Sequence, residues 1–207
     1  MTTLRVLLLE DDPWTCSVVA TALRSHGVEV HASATAPAAM QVAAVHEVDI
    51  ALLDLDLGDG PNGVDVALAL HRRHPHIAIV ILTSYEDPRL FISTLPALPP
   101  SVNVARKSSI TDVQALLGLL RESLAGGPSS RSRVADLSDG QVEVLRLLAS
   151  GATNAEIARQ RFVSEKAVEH SIARLARHFD IAQDSAQNTR VLLTRVYLRM
   201  IGHPNAT

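Results

Sequence analysis

In the stretch LLDLDLGDG, Leu52 to Gly60, three carboxylates fall within six residues: Asp54, Asp56 and Asp59. A second acidic cluster, Glu10-Asp11-Asp12, follows the apolar run Val6–Leu9. Thr83 and Ser84 follow the run Ile77–Leu82, and Lys107 lies just beyond Val102–Ala105. Carboxylates this crowded repel one another unless a cation neutralises them, and an oxygen-only ligand set suits Mg²⁺. A lysine and a hydroxyl in the same place suit a phosphoryl group. A different chemistry is written near the other end of the chain. Lys166, His170, Arg174 and Arg177 recur at helical spacing, as a surface for a polyanion would require.

Other readings of these residues are weaker. A calcium loop wants acids at its first, third and fifth positions and glycine at the sixth. Counted from Asp54, the fifth position is Gly58 and the sixth is Asp59. Asp54-x-Asp56 has the nucleophile pattern of haloacid-dehalogenase-type phosphatases, but those carry it on the first strand. Asp59 reads as a solvated turn acid. Asp12 reads as a helix-start acid that favours the helix dipole. The run His71-Arg72-Arg73-His74-Pro75-His76 suits a helix end, where positive charge is favourable, better than a metal site. Cys16 reads as a packing residue and Trp14 as a neighbour of the acidic cluster.

What must position the acids is a set of buried strands. Leu4–Leu9, Val28–His31, Ile50–Leu53, Ile77–Leu82 and Val102–Ala105 are short apolar runs. Several are apolar throughout, as in strands covered on both faces of a parallel sheet. Helical patterns alternate with them over Pro13–Ser25, Pro37–His46, Val64–Arg73 and Thr111–Leu124. A short helix over Glu86–Leu95 is broken by Pro96, Pro99 and Pro100. Thr111 and Gln114 have capping-box spacing. This alternation predicts a doubly wound α/β domain. In such a domain ligands sit beyond the carboxyl ends of the strands, where Glu10, Asp11, Asp54, Thr83 and Lys107 all fall.

Composition agrees with a packed chain of two parts. The 207 residues are 47% hydrophobic and 20% charged, and aromatics make up only 3%, so aliphatic side chains must fill the core. One cysteine leaves no internal disulfide and suits a reducing compartment. No run approaches a membrane span, and the short run Val6–Leu9 meets acids at once, so neither a secretory leader nor a membrane anchor is expected. The expected location is cytoplasmic. Residues 1–125 hold 8 Lys+Arg against 14 Asp+Glu, a net −6; residues 126–207 hold 11 against 8, a net +3. The boundary falls in Gly126-Gly127-Pro128-Ser129-Ser130, a linker composition. The expected organisation is a domain over 1–125, a flexible linker over 126–135 and a second domain over 136–207.

The first domain resembles the receiver domains of two-component response regulators over residues 4–124. The resemblance is carried by VLLLEDDP, DIALLDLDLG, IAIVILTSYEDP and VARKSS, in that order and spacing. It implies a flavodoxin-like fold, α/β, with a five-stranded parallel sheet in the order 2-1-3-4-5. It makes Asp54 the phosphoacceptor. It makes Glu10 and Asp11 the metal-binding acidic pair and Asp56 the donor of a backbone carbonyl to Mg²⁺, with Asp54 in the same metal set. Thr83 and Lys107 would contact the phosphoryl group, and the phosphodonor would be a sensor histidine kinase. The chain departs from the pattern in several places, among them Gly58 where proline is common and a proline-rich segment over Leu95–Pro100. Val104 stands where the family has an aromatic switch residue. Ser108 stands where proline is usual. The loop Gly58–Gly63 is one residue longer.

The second domain reads as helices over Leu137–Met200. Ser138 with Gln141, and Thr153 with Glu156, have capping-box spacing. Gly151 can end the first helix. A short helix over Asn154–Gln160 precedes Ser164, an N-cap for Glu165–Phe179. On that helix Val168, Ile172, Leu175 and Phe179 form a buried face, roughly opposite Lys166, His170, Arg174 and Arg177. Helix, turn and capped helix with one apolar and one basic face is a helix-turn-helix. The stretch LSDGQVEVLRLLASGATNAEIARQRFVSEKAVEHSIARL resembles the LuxR/NarL-type DNA-binding domain. That resemblance implies a small all-α four-helix domain. It makes Lys166, Ala167, His170, Ser171 and Arg174 groove contacts and Arg177 and His178 phosphate contacts. It also implies promoter DNA as the ligand and a homodimer through the final helix, Asn188–Ile201. Glu169 replaces a common basic residue, Ser171 a common histidine and Asp180 a common glycine, which predicts weaker nonspecific binding and an altered site preference.

The expectation is thus a DNA-binding regulator, not an enzyme, switched by phosphorylation of Asp54. Two alternatives share its residues. One is an atypical regulator whose DNA binding is independent of phosphorylation and set by a ligand, a partner or concentration. The other is a Mg²⁺-dependent phosphatase or phosphotransferase, which leaves the helix-turn-helix unexplained.

Overall fold

A computed structural model describes residues 3–90, 92, 98–99, 101–126, 137–181 and 188–201. By its internal contacts the chain divides into two compact units. One holds Met1–Ser84 and Pro96–Ser130, the other Tyr85–Leu95 and Arg131–Thr207. The expected linker 126–135 lies outside the described residues except for Gly126.

The first unit is a five-stranded, all-parallel sheet in the order β2-β1-β3-β4-β5. The strands are β1 (Arg5–Leu9), β2 (Glu29–Ser33), β3 (Ile50–Asp54), β4 (Ala78–Thr83) and β5 (Val102–Arg106). Around it lie α1 (Pro13–Arg24), α2 (Ala36–Val45), α3 (Gly63–Arg73) and α4 (Val113–Leu124). Side chains alternate across the sheet. Val6, Leu8, Ile50, Leu52, Val80 and Leu82 form one core with Ala20 and Leu23 of α1 and Leu116, Leu117 and Leu120 of α4. The intervening Leu7, Leu9, Ala51, Leu53, Ile79 and Ile81 are equally buried and point to the other face, where α2 and α3 pack. Both faces being covered is why these strands lack a polar alternation.

Register does the positioning. Leu9 pairs with Leu53, Asp54 with Leu82, and Thr83 with Arg106. The residues at or just beyond these ends, Glu10, Asp54, Thr83 and Lys107, therefore share one edge of the sheet. Helix starts are also specified locally. Asp12 caps α1 through the Thr15 amide at 2.7 Å, and Asn62 with Asp65 forms a capping box on α3. The expected Thr111–Gln114 box is replaced by Asp112, whose carboxylate accepts the Ala115 amide at 2.8 Å. An ionised oxygen is a stronger cap acceptor than a hydroxyl.

The region expected to hold a short helix over Glu86–Leu95 contains a single 3₁₀ turn, Pro88–Leu90, among the described residues. The Asp87 carboxylate takes the Arg89 amide at 2.8 Å, which closes a local turn in place of a helical one. This segment belongs to the second unit. Leu90 is buried in that unit's core, the Glu86 amide donates to the Met200 carbonyl at 2.8 Å, and Arg89 donates to the Leu137 carbonyl at 2.9 Å.

The rest of the second unit is α5 (Asp139–Ala149), α6 (Asn154–Gln160), α7 (Glu165–His178) and α8 (Thr189–Met200). Val144, Leu145, Ile157, Val168, Leu175 and Leu193 are all fully buried at its centre. The two expected capping boxes, Ser138–Gln141 and Thr153–Glu156, are both formed, and Ser164 caps α7 through the Ala167 amide. Asp180, at the place where the resembling family favours glycine, has φ +53°, the left-handed conformation that a side chain resists.

Candidate functional site

Asp54 is the last residue of β3 and is only 7% exposed. The backbone beside it is tightly held. The Leu55 amide donates to the Leu82 carbonyl at 2.8 Å, and the Gly63 amide donates to the Leu55 carbonyl at 2.9 Å. A Cβ at Gly63 would collide with the Asp54 carbonyl oxygen, so only glycine lets α3 begin this close to the strand end.

Three carboxylates converge here. One oxygen each from Glu10, Asp11 and Asp54 lies within 4.8 Å of the others, the only such metal-capable cluster among the described residues. Glu10 and Asp54 are buried and Asp11 is exposed, so the cluster is open to solvent on the Asp11 side. Lys107, set by a 3₁₀ turn directly after β5, bridges the two buried acids. Its Nζ is 2.9 Å from Glu10 Oε2 and 3.0 Å from Asp54 Oδ2.

One lysine does not neutralise three acids. Burial pushes the Asp54 carboxyl up to about 6, and the Glu10 charge adds to that rise while Lys107 opposes it. An apolar recess of about 190 Å³, lined by Leu8, Val19, Leu52, Leu82 and Leu116, opens beside Asp54 and Lys107 and explains the poor solvation. Burial by itself would lower the Lys107 ammonium, but its hydrogen bond to Glu10 and the charge of Asp54 outweigh this and raise it. The lysine is therefore a permanent cation. The excess negative charge and the all-oxygen donor set fit a hard divalent cation such as Mg²⁺.

The remaining sequence-derived residues fall as follows. Thr83 ends β4 on the same edge and is 1% exposed. The exposed Asp56 carboxylate turns back to the Gly58 amide at 3.4 Å and takes no part in the carboxylate cluster. Asp12 is occupied as a helix cap, and its hydrogen bonds to the Thr15 hydroxyl and amide hold it below the usual carboxylate range. Val104 lies on β5, half-buried.

In the second unit, Lys166, His170, Arg174, Arg177 and His178 are all exposed on α7. Ala167 is half-buried. Ser171 is 8% exposed and its hydroxyl donates to the Ala167 carbonyl at 2.9 Å, so its polar atom is engaged within the helix. The buried stripe runs through Val168, Ser171, Leu175 and Ala176, with Ile172 and Phe179 at its margins. Beside the stripe of exposed cations lies a cleft of about 310 Å³. Ala167, His170 and Arg174 line it from α7, and Gly140, Gln141 and Arg161 from outside that helix. None of the latter three was singled out from the sequence as a site residue (Gln141 only as a capping partner), since periodicity along one helix carries no signal for residues contributed by other elements. On α8, Leu193 and Met200 are the buried residues, while Leu192, Val196 and Tyr197 are half-buried.

Comparison with known proteins adds to this geometry. A family model for the response regulator receiver domain matches residues 6–97, and one for bacterial regulatory proteins of the luxR family matches residues 135–187. The DNA-binding transcriptional activator DevR/DosR of Mycobacterium tuberculosis is 30% identical over 142 residues, 61% of this chain and 64% of that protein. The chain thus spans just under two thirds of that relative's length. The DNA-binding transcriptional activator EvgA of Escherichia coli is 22% identical over 184 residues, 83% of this chain and 89% of the relative. Among solved structures, that of the two-component response regulator RcsB in complex with DNA aligns with a TM-score of 0.60 at 20% identity, covering 97% of this chain and 100% of that one. A CheY-like receiver from Methanospirillum hungatei aligns with a TM-score of 0.50 at 22% identity, covering 60% and 95%. These structural likenesses support the fold.

Proposed function

The chain belongs to the response regulators that join a receiver domain to a luxR-type DNA-binding domain, and on that premise we propose that it is a transcription regulator switched by phosphorylation of Asp54. The observation that carries the proposal is the arrangement at the sheet edge. A buried carboxylate sits at a strand end, held by a lysine and crowded by two further acids.

The Asp54 carboxylate attacks the phosphorus of a phosphohistidine on a sensor histidine kinase. An oxygen–phosphorus bond forms, the nitrogen–phosphorus bond breaks, and the histidine leaves with the electron pair. Glu10, Asp11 and Asp54, with the backbone carbonyl of Asp56, would hold Mg²⁺, which when bound would supply charge neutralisation for the phosphoryl oxygens. Lys107 gives its ammonium to the phosphoryl oxygens and Thr83 its hydroxyl. The acyl phosphate then biases a two-state protein. In the second unit, Lys166, Ala167, His170 and Arg174 face the major groove of promoter DNA; Ser171, expected beside them, is buried with its hydroxyl spent on the Ala167 carbonyl and is not a groove contact. Arg177 and His178 take backbone phosphates. The active form is a homodimer that uses α8.

Val104 favours a second reading, in which DNA binding is set without phosphorylation. One experiment addresses both. The full-length chain is treated with a small phosphodonor and Mg²⁺, its mass is measured, and its affinity for DNA is titrated beside Asp54→Asn. The proposal expects the mass of one phosphoryl group on the wild type only, together with tighter DNA binding. Equal affinity of phosphorylated and untreated protein supports the second reading.

A further inference from the structure

Arg161 lies outside the helix that the DNA-binding reading uses. It is the C-cap residue of α6, and its backbone amide closes that helix on the Ile157 carbonyl at 3.0 Å. Its side chain lies over the first turn of α5. The guanidinium Nη2 is 2.7 Å from where a Cβ of Gly140 would stand, and Cζ is 3.6 Å away. A Cβ at position 140 would push this guanidinium aside, a shift that the end of a flexible side chain can make. Glycine in the first turn of a helix carries a conformational penalty, and here it opens the space in which the guanidinium lies.

Arg161 is half-buried as a residue, and among the described residues nothing neutralises its guanidinium. Arg89 pairs with Asp87 and Asp139, and Arg146 with Glu143. Among the described residues Arg161 has no carboxylate partner and no hydrogen-bond acceptor. A guanidinium with no internal partner keeps its hydrogen-bond donors free for an incoming anion. Arg161 lines the same cleft as Arg174 and His170 of α7, with the first turn of α5 as its far wall. The cleft therefore gathers two guanidinium groups and an imidazole, and its described lining includes no carboxylate.

We propose that this cleft is a seat for one backbone phosphate of duplex DNA, with Arg161 as its principal ligand. The proposal rests on the reading of α7 as the groove-facing helix. If Lys166, His170 and Arg174 face a groove, the sugar–phosphate rail bordering that groove passes beside them, on the flank where the cleft opens. The phosphate offers two non-bridging oxygens, sharing one negative charge, to the planar guanidinium fork, the pairing for which arginine is best shaped. Such a contact fixes the register of α7 on the duplex and carries no sequence preference of its own.

The test uses the full-length chain and fluorescence anisotropy on a duplex of arbitrary sequence, about 30 bp, over a range of KCl concentrations. Arg161→Gln is expected to weaken binding roughly three- to tenfold near 0.1 M salt and to make the log–log salt slope shallower by about 0.9 per bound copy. Gly140→Ala keeps every charge but displaces the guanidinium, and is expected to lose affinity in the same direction with thermal unfolding still cooperative. Unchanged affinity and slope in Arg161→Gln would overturn the inference while leaving the DNA-binding reading intact. A wild type that binds no duplex would remove both. If millimolar inorganic phosphate raised the melting temperature of the wild type but not of Arg161→Gln, and DNA binding were equal in the two, the seat would belong to a free anion and the proposal would fail.

Discussion

The two units hold their charged residues in opposite ways. At the sheet edge of the first, two buried carboxylates share one lysine: Lys107 touches both Glu10 and Asp54, and the Asp54 carboxyl is pushed up to about 6. On α7 of the second, the basic side chains stand in solvent along one face. Each arrangement suits a different task. Chemistry at a single atom needs a desolvated group whose reactivity is set by a few near neighbours. Attraction to a polyanion needs many weak, exposed charges, and its strength falls with salt.

The contrast can be broken most sharply at Asp54. Asp54→Asn should abolish phosphoryl incorporation from a small donor, read by intact mass, because the nucleophile is one residue. Lys107→Met should follow, slowing incorporation by roughly 10²–10³-fold if its charge acts on the developing phosphoryl oxygens. A rate within twofold of wild type would mean that Lys107 only neutralises Glu10. On the other unit, the double change Lys166→Ala with Arg174→Ala should weaken DNA binding by roughly 10–100-fold at 0.1 M salt and lower the salt slope by about 2 per bound copy. An unchanged slope would show that α7 presents a different face.

Smaller effects sharpen the same comparison through stability. Asp54 has a folded-state value raised from 3.8 to about 6, so the folded state binds its proton more tightly than the unfolded chain does. The stability linked to that proton is fully present below about pH 4 and is lost as the pH rises through 6. At neutral pH the ionised carboxylate is therefore a burden on the metal-free protein. Asp54→Asn should raise stability there by about 1–2 kcal/mol, the loss of the Lys107 contact offsetting part of the gain. Thermal unfolding at pH 7 in a chelator would read it, and a lower midpoint would show that the Lys107 contact dominates. Asp180→Gly is expected to gain about 0.5–1 kcal/mol by relieving a left-handed side-chain conformation, read in the same thermal unfolding.

Much of this was legible in the sequence because it is local. Apolar runs closing on Asp54 and Thr83 declared buried parallel strands, and parallel register then brings their ends to one edge without further information. Ser138 with Gln141 and Thr153 with Glu156 declared helix starts through a three-residue hydrogen-bond loop, which the structure forms. What failed was short-range competition or long-range contact. Asp112 displaced Thr111 as a cap because two adjacent residues could both serve, and the stronger acceptor prevailed. Tyr85 to Leu90 read as part of the α/β domain by position, yet Leu90 is buried in the core of the second unit. Gly140 and Arg161 lie 21 positions apart, and nothing in periodicity announces that one makes room for the other.

The most direct test of the account is a DNA titration of full-length protein, with and without a small phosphodonor and Mg²⁺, wild type beside Asp54→Asn. Wild-type affinity is expected to rise roughly tenfold or more on phosphorylation, a bias of about 1.4 kcal/mol at least, and Asp54→Asn is expected not to respond. Wild-type protein carrying one phosphoryl group on Asp54 and binding DNA with unaltered affinity would contradict it.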